Sequence, residues 1–229
     1  MNTISKIKKA LRDMSLKVCL KSREKLNPYF APYRRKKLKR TDFTIISNNC
    51  WAGHVYRYYG LSYTTPTVGL FFFADDYLKF IKNLKHYINS DLHFIPLSES
   101  RHEKELRIQG GKSLACPIGV LDDIEIIFLH YKTEQEANTK WSRRKKRINW
   151  DNLYVKMSQM NGCSYEMMCE FDNLPYNNKF IFVRQKYGLK SEVVYESYEN
   201  DNEITNDTNY FRKYINITNW LNGKPYRMY

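Results

Sequence analysis

Apolar positions follow two rhythms along this chain. Near the start, Ile4, Ile7, Leu11, Met14 and Val18 recur at intervals of three and four with basic residues between them. That spacing predicts a basic amphipathic helix ending near Asn27-Pro28, followed by a cationic, proline-containing linker over residues 29–40. From residue 41 the rhythm changes to short apolar runs alternating with helical patterns. Strands are predicted at 43–47 (FTIIS), 67–73, 93–97, 124–130 (IEIIFLH), 152–157, 180–184 and 192–195.

Helices are predicted between most of these strands. One spans 51–59 and is stopped by Gly60. A second starts at the cap offered by Asp75 or Asp76 and carries Tyr77, Phe80, Ile81, Leu84 and Ile88 on one face. Thr133 and Glu136 form a capping box for a third, running to about residue 148. A fourth spans 164–171. Residues 98–116, polar and containing Gly110-Gly111, read as a loop or lid, residues 200–209 as an acidic, Asn-rich surface loop, and the last twenty as a short docked helix around Trp220. The expected architecture is α/β: a mainly parallel sheet with helices on both faces, plus a basic N-terminal helical tail. The domains expected are 1–40, helix and linker, and 41–229, a single α/β domain.

Charge sharpens the division. The 229 residues carry a formal +14, yet the first 40 hold 14 Lys and Arg against Asp13 and Glu24, which is +12. The rest is nearly neutral, so basicity is a property of the tail. Three readings of the tail stay open: a helix packed on the body, a helix lying on an anionic membrane surface, or a nucleic-acid contact. The last is disfavoured, since no zinc-finger spacing or aromatic RNA-binding motif accompanies it. The longest apolar run, residues 68–74, is far short of a spanning helix, and no signal-peptide pattern opens the chain. The expected address is cytoplasmic, with peripheral attachment to the inner membrane face. Five cysteines, an odd number without a CxxC pair, suggest reduced thiols.

Candidate chemistry follows from a rule of open α/β sheets, that ligands sit beyond the carboxyl ends of strands. The first strand ends in Ser47, Asn48, Asn49 and Cys50, where a helix begins. A cysteine at a helix N-terminus is expected to have a lowered pKa and nucleophilic character. Asn48 and Asn49 offer amide donors, and His130, at the end of the fourth predicted strand, offers an acid or base. Arg144 and Arg147, with Arg143 beside them, present cations suited to a phosphate. Trp51, Lys132 and Asn152 complete the expected binding set. The glycine-rich, zinc-protease and serine-hydrolase motifs are absent, and no cofactor or metal is indicated.

In order, the strings FTIISNNCWAG (43–53), TPTVGLFF (65–72), DIEIIFLHYKT (123–133), WSRRKKRINWDNL (141–153) and FDNLP (171–175) resemble an uncharacterised bacterial family whose members carry a domain of unknown function (1919). Its members are often labelled exopolysaccharide biosynthesis proteins. The resemblance covers about residues 43–195. Asn49-Cys50 is also similar to the Asn-Cys pair ending the first strand of capsule acyltransferases. These likenesses imply a role in capsular or exopolysaccharide biosynthesis, either as an acyl- or glycosyltransferase or as a non-catalytic, membrane-peripheral accessory protein. For the enzyme, Cys50 and His130 are the expected reacting groups. The expected partner is a phosphorylated small molecule or lipid-linked glycan.

Overall fold

Successive strand residues point to opposite faces of a sheet, and here both faces are apolar. In β1 (Thr44–Ser47), Ile45 and Ile46 enter different cores; Tyr154 and Val155 of β5 (Leu153–Ser158) divide in the same way. So do Phe180 and Ile181 of β6 (Lys179–Val183). With β7 (Glu192–Val194) these strands form a parallel sheet in the order β1-β5-β6-β7. The computed structural model describes residue 22 and residues 25–228.

One face is covered by α3 (Ala74–Lys82), α4 (Leu84–Asn89), α6 (Glu134–Lys145) and α7 (Tyr165–Asn173). On the other lie α2 (Trp51–Tyr59) and the C-terminal segment with α8 (Ile217–Leu221). The α/β class with helices on both faces therefore holds. Local chemistry sets several boundaries. Thr133 and Ser164 accept from the backbone N–H three residues on and cap α6 and α7, while Gly60, at φ 61°, ends α2.

Four expected elements change. The run at 67–73 is buried but pairs with a strand only through the Phe71–Ile127 bridge. Gly69, at φ 79°, bends it, and its side chains alternate between two cores, Leu70 and Phe72 in one and Phe71 and Phe73 in another. The expected strands at 93–97 and 124–130 leave the parallel sheet. They become β2 (Leu92–Ile95) and β4 (Ile124–Ile127), flanking an unforeseen β3 (Ile118–Leu121) in an antiparallel sheet. Asp122, at φ 55°, turns the two-residue β3–β4 hairpin. The expected lid at 98–116 contains α5 (Glu103–Gln109), anchored by the fully buried Leu106.

The N-terminal helix α1 covers residues 25–35, running through Pro28 rather than ending there. Tertiary contacts outweigh the local breaker. Ala31 is buried, Arg34 donates to the Tyr58 carbonyl (3.1 Å) and Arg35 to the Gly60 carbonyl (2.7 Å) at the end of α2. The stripe from Ile4 to Val18 lies outside the described residues.

Candidate functional site

Asn48, Asn49 and Cys50 link the carboxyl end of β1 to α2, and the first turn of that helix is satisfied locally. The Trp51 amide donates to Asn49 Oδ1 (3.1 Å) and the Ala52 amide to Ser47 Oγ (3.4 Å). The helix N-terminus is therefore occupied by amide and hydroxyl oxygens rather than by the Cys50 thiol. The thiol is largely buried and lies 3.5 Å from the Leu70 carbonyl. Burial pushes it up to about 11, so it is protonated at neutral pH and the expected lowering does not occur.

Directly below lies a buried network. Lys156 is fully buried in β5, where its ammonium is ion-paired with Asp207 and donates to Asn48 Oδ1 (3.2 Å) and Asn49 Oδ1 (3.3 Å). Asp207 also accepts from Ser158 Oγ (2.6 Å) and Asn49 Nδ2 (2.9 Å). Desolvation lowers the Lys156 pKa and the Asp207 charge opposes that shift. The loop holding Asp207 is the one expected to lie in solvent. Instead, Ile204 is fully buried and its amide donates to the Gln159 carbonyl (2.8 Å), drawing the loop over the end of β5.

Above the network is a cavity of about 400 Å³. Asn49, Cys50 and His54 enter from the start of α2, Met160 and Asn161 from just beyond β5, and His130 from beyond β4. Gln109 and Ser113 close one side and residues 203–208 another. Burial, reinforced by Arg57, pushes His54 down to about 4, and Arg57 contacts both its ring nitrogens (3.2 and 3.3 Å). His130 sits at the exposed mouth, lowered by partial burial and by Lys112 and Arg57. Both imidazoles are thus biased to the neutral form, in which one ring nitrogen donates and the other accepts a hydrogen bond.

Asn49, Cys50 and His130 therefore share one cavity, while the other expected residues lie elsewhere. Ser47 and Asn48 are buried beneath it. Trp51 is fully buried among Phe180, Phe182, Phe211 and Trp220, because its large apolar ring fits the lower core. Asn152 precedes β5 at the opposite end of the sheet, with its amide 3.4 Å from Asp42. Arg144 is buried and donates to Tyr131 Oη (2.6 Å) and the Val68 carbonyl (3.2 Å); Arg147 reaches the Tyr63 carbonyl (3.5 Å). Arg143 and Lys132 are exposed on and before α6. None of these four lines the cavity.

His54, Lys156 and Asp207 were not foreseen. His54 follows Cys50 by four residues, so helical spacing could have placed both on one face. Lys156 interrupts an otherwise apolar strand, and a charge there requires a buried partner. Among the described residues, Asp75, Asp76 and His102 bring ligand atoms within 4.8 Å of one another, a possible metal grouping. Asp76 is already held by His102 Nε2 (2.7 Å) and by Arg101.

Comparison with known proteins adds the family. Residues 22–222 match the model described as "Domain of unknown function (DUF1919)". The chain belongs to that family. It is also 30% identical over 193 residues to an "Uncharacterized protein" of Haemophilus influenzae, covering 84% of this chain and 82% of that one. The family match takes in α1 and the segment expected as a linker, consistent with their docking on the body. Among the described residues no helix is long and apolar enough to cross a membrane.

Proposed function

We propose that this DUF1919 protein is a transferase of bacterial surface-polysaccharide assembly, with the Cys50–His130 cavity as its acceptor site. The observation that carries the reading is the convergence of Asn49, His54, Gln109, His130 and Thr205 on one pocket beyond the sheet's carboxyl ends. Amides, hydroxyls and neutral imidazoles are the groups that recognise a polyhydroxylated sugar. In the proposed step an acceptor hydroxyl oxygen bonds to the acyl or glycosyl carbon of a phosphate-bearing donor. The donor's bond to its leaving group breaks with the electron pair departing on that group, and His130 takes the hydroxyl proton. This direct route does not need a resting Cys50 thiolate, which the buried thiol does not supply.

The reading also places the chain at the cytoplasmic face of the inner membrane. Residues 1–40 carry +12, and α1 exposes Leu26, Tyr29, Phe30 and Tyr33, a combination suited to anionic lipid. A second reading, a binding protein without catalysis, is favoured by the protonated, internally engaged Cys50.

A melting screen of the full chain against nucleotide sugars and acyl-CoA, each with and without an oligosaccharide acceptor, separates them. The transferase reading expects a donor that raises the melting temperature and is consumed when acceptor is present. His130→Ala should abolish consumption and retain the shift. Binding without consumption supports the accessory reading, and a screen without any shift contradicts both.

A further inference from the structure

A second cavity, of about 690 Å³, opens where α1 meets the C-terminal segment. Four cations line it: Arg34 and Lys37 from the N-terminal side, Arg212 and Lys213 from the C-terminal side. Among the described residues no carboxylate lines it. Among the described residues no carboxylate forms an ion pair with any of these four.

The cations are held close despite their repulsion. The guanidinium carbons of Arg34 and Arg212 lie 4.0 and 4.9 Å from the centre of the same Tyr58 ring, while Lys213 lies 4.8 Å from that of Tyr210. Arg34 is fixed through Asn27 Oδ1 (2.8 Å) and the Tyr58 carbonyl (3.1 Å). Burial lowers its pKa, and Arg212 pushes it in the same direction.

The backbone adds an independent observation. Tyr210, a bulky residue, adopts φ 57°, immediately before the single turn Phe211–Lys213 that presents Arg212 and Lys213. A left-handed conformation is uncommon in such a residue and marks a position set by its surroundings. Two of the neutral polar groups lining the cavity are engaged elsewhere, Thr218 Oγ1 with Tyr59 Oη (2.8 Å) and Asn219 Nδ2 with the Pro225 carbonyl (2.8 Å), and the four cations are the charged groups that line it.

We propose that this cavity binds a phosphoryl group, with Arg34 and Arg212 as planar, forked donors and Lys37 and Lys213 as flanking point charges. Four cations exceed what one carboxylate neutralises and match the several oxygens of a phosphate or diphosphate. The phosphoryl group belongs either to a soluble phosphorylated ligand or to a lipid headgroup. The second source is compatible with the exposed stripe Leu26, Tyr29, Phe30 and Tyr33 on the adjoining helix. The site is separate from the Cys50 cavity and does not rest on the transferase reading.

The test uses the full chain, inorganic pyrophosphate, and vesicles of phosphatidylglycerol in phosphatidylcholine. Calorimetry should show saturable pyrophosphate binding that sodium chloride at matched ionic strength does not reproduce. The Arg212→Gln/Lys213→Gln double variant changes two exposed residues, and its melting temperature without ligand checks that it is folded. It should bind pyrophosphate about tenfold or more weakly, as expected for loss of charge-assisted contacts. Arg212→Lys, which keeps the charge and removes the fork, should fall between the two and serves as the readout if the double variant does not fold. A parallel loss of vesicle binding assigns the phosphoryl group to lipid; unchanged vesicle binding beside lost pyrophosphate binding assigns it to a soluble ligand. Pyrophosphate and vesicle binding both indifferent to these variants, or fully mimicked by sodium chloride, would overturn the proposal.

Discussion

The basic run on α6 and the Cys50 cavity differ in how their polar groups are assembled. Along α6 and the turn after it the neighbouring cations part: Arg143 faces solvent, whereas Arg144 turns inward to Tyr131 and Val68 and Arg147, past the helix end, reaches Tyr63. At the cavity, residues separated by up to 158 positions, Asn49 and Asp207, are in direct contact. Linear charge density is thus a poor guide to a site, because a helix distributes consecutive residues around its axis. Parallel strands do the opposite, delivering distant segments to one edge.

That contrast can be broken by substitution. The largest effect is expected at Lys156, whose removal leaves Asp207 as a buried, unpaired charge. Lys156→Met should lower unfolding free energy by about 3–5 kcal/mol in urea denaturation, and adding Asp207→Asn should recover much of the loss. A loss under about 1 kcal/mol, the scale of an exposed pair, would show that the network is solvated. Next comes Arg144→Ala, expected to cost about 1.5–3 kcal/mol through its two lost charge-assisted hydrogen bonds while leaving ligand binding in the cavity intact. A binding defect without a stability loss would return Arg144 to the site.

His54 gives a pH-dependent test. Unfolded, it titrates near 6.5; folded, burial pushes it down to about 4. Between these values the unfolded chain takes up a proton that the folded chain refuses, so stability should fall as pH drops from 6.5 towards 4. His102 and His130 are lowered in the same direction. His54→Asn should flatten the His54 part of that slope, read as urea midpoint against pH; an unchanged slope would mean that the ring is not desolvated. The smallest effect is expected at Arg143, where Ala should change stability by less than about 0.5 kcal/mol.

Elements set by local rules were legible in the sequence. The helix between Thr133 and Lys145 follows from its cap, and the turn after Tyr59 follows from Gly60. Cys50 and His130 both line the cavity, as the strand ends predict, although the strand before His130 lies in the antiparallel sheet. What was not legible depends on distant partners. Residues 67–73 read as a strand because buried extended chain and ladder-forming strand share the same apolar pattern. Residues 200–209 read as solvent loop because nothing local shows that Asp207 has a lysine to neutralise. Sequence position alone predicts a Cys50 thiolate at the helix start, whereas Asn49 and Ser47 occupy those amides and burial raises the thiol pKa.

The central claim is that the site is the cavity and not the basic run. It is tested most directly by a structure of the full chain with the oligosaccharide acceptor that supports donor consumption. The account predicts the ligand between Asn49, His54 and His130, with a hydroxyl within about 3.2 Å of a His130 ring nitrogen. A ligand held instead on the Arg143–Arg147 face, with the cavity unchanged, would contradict it.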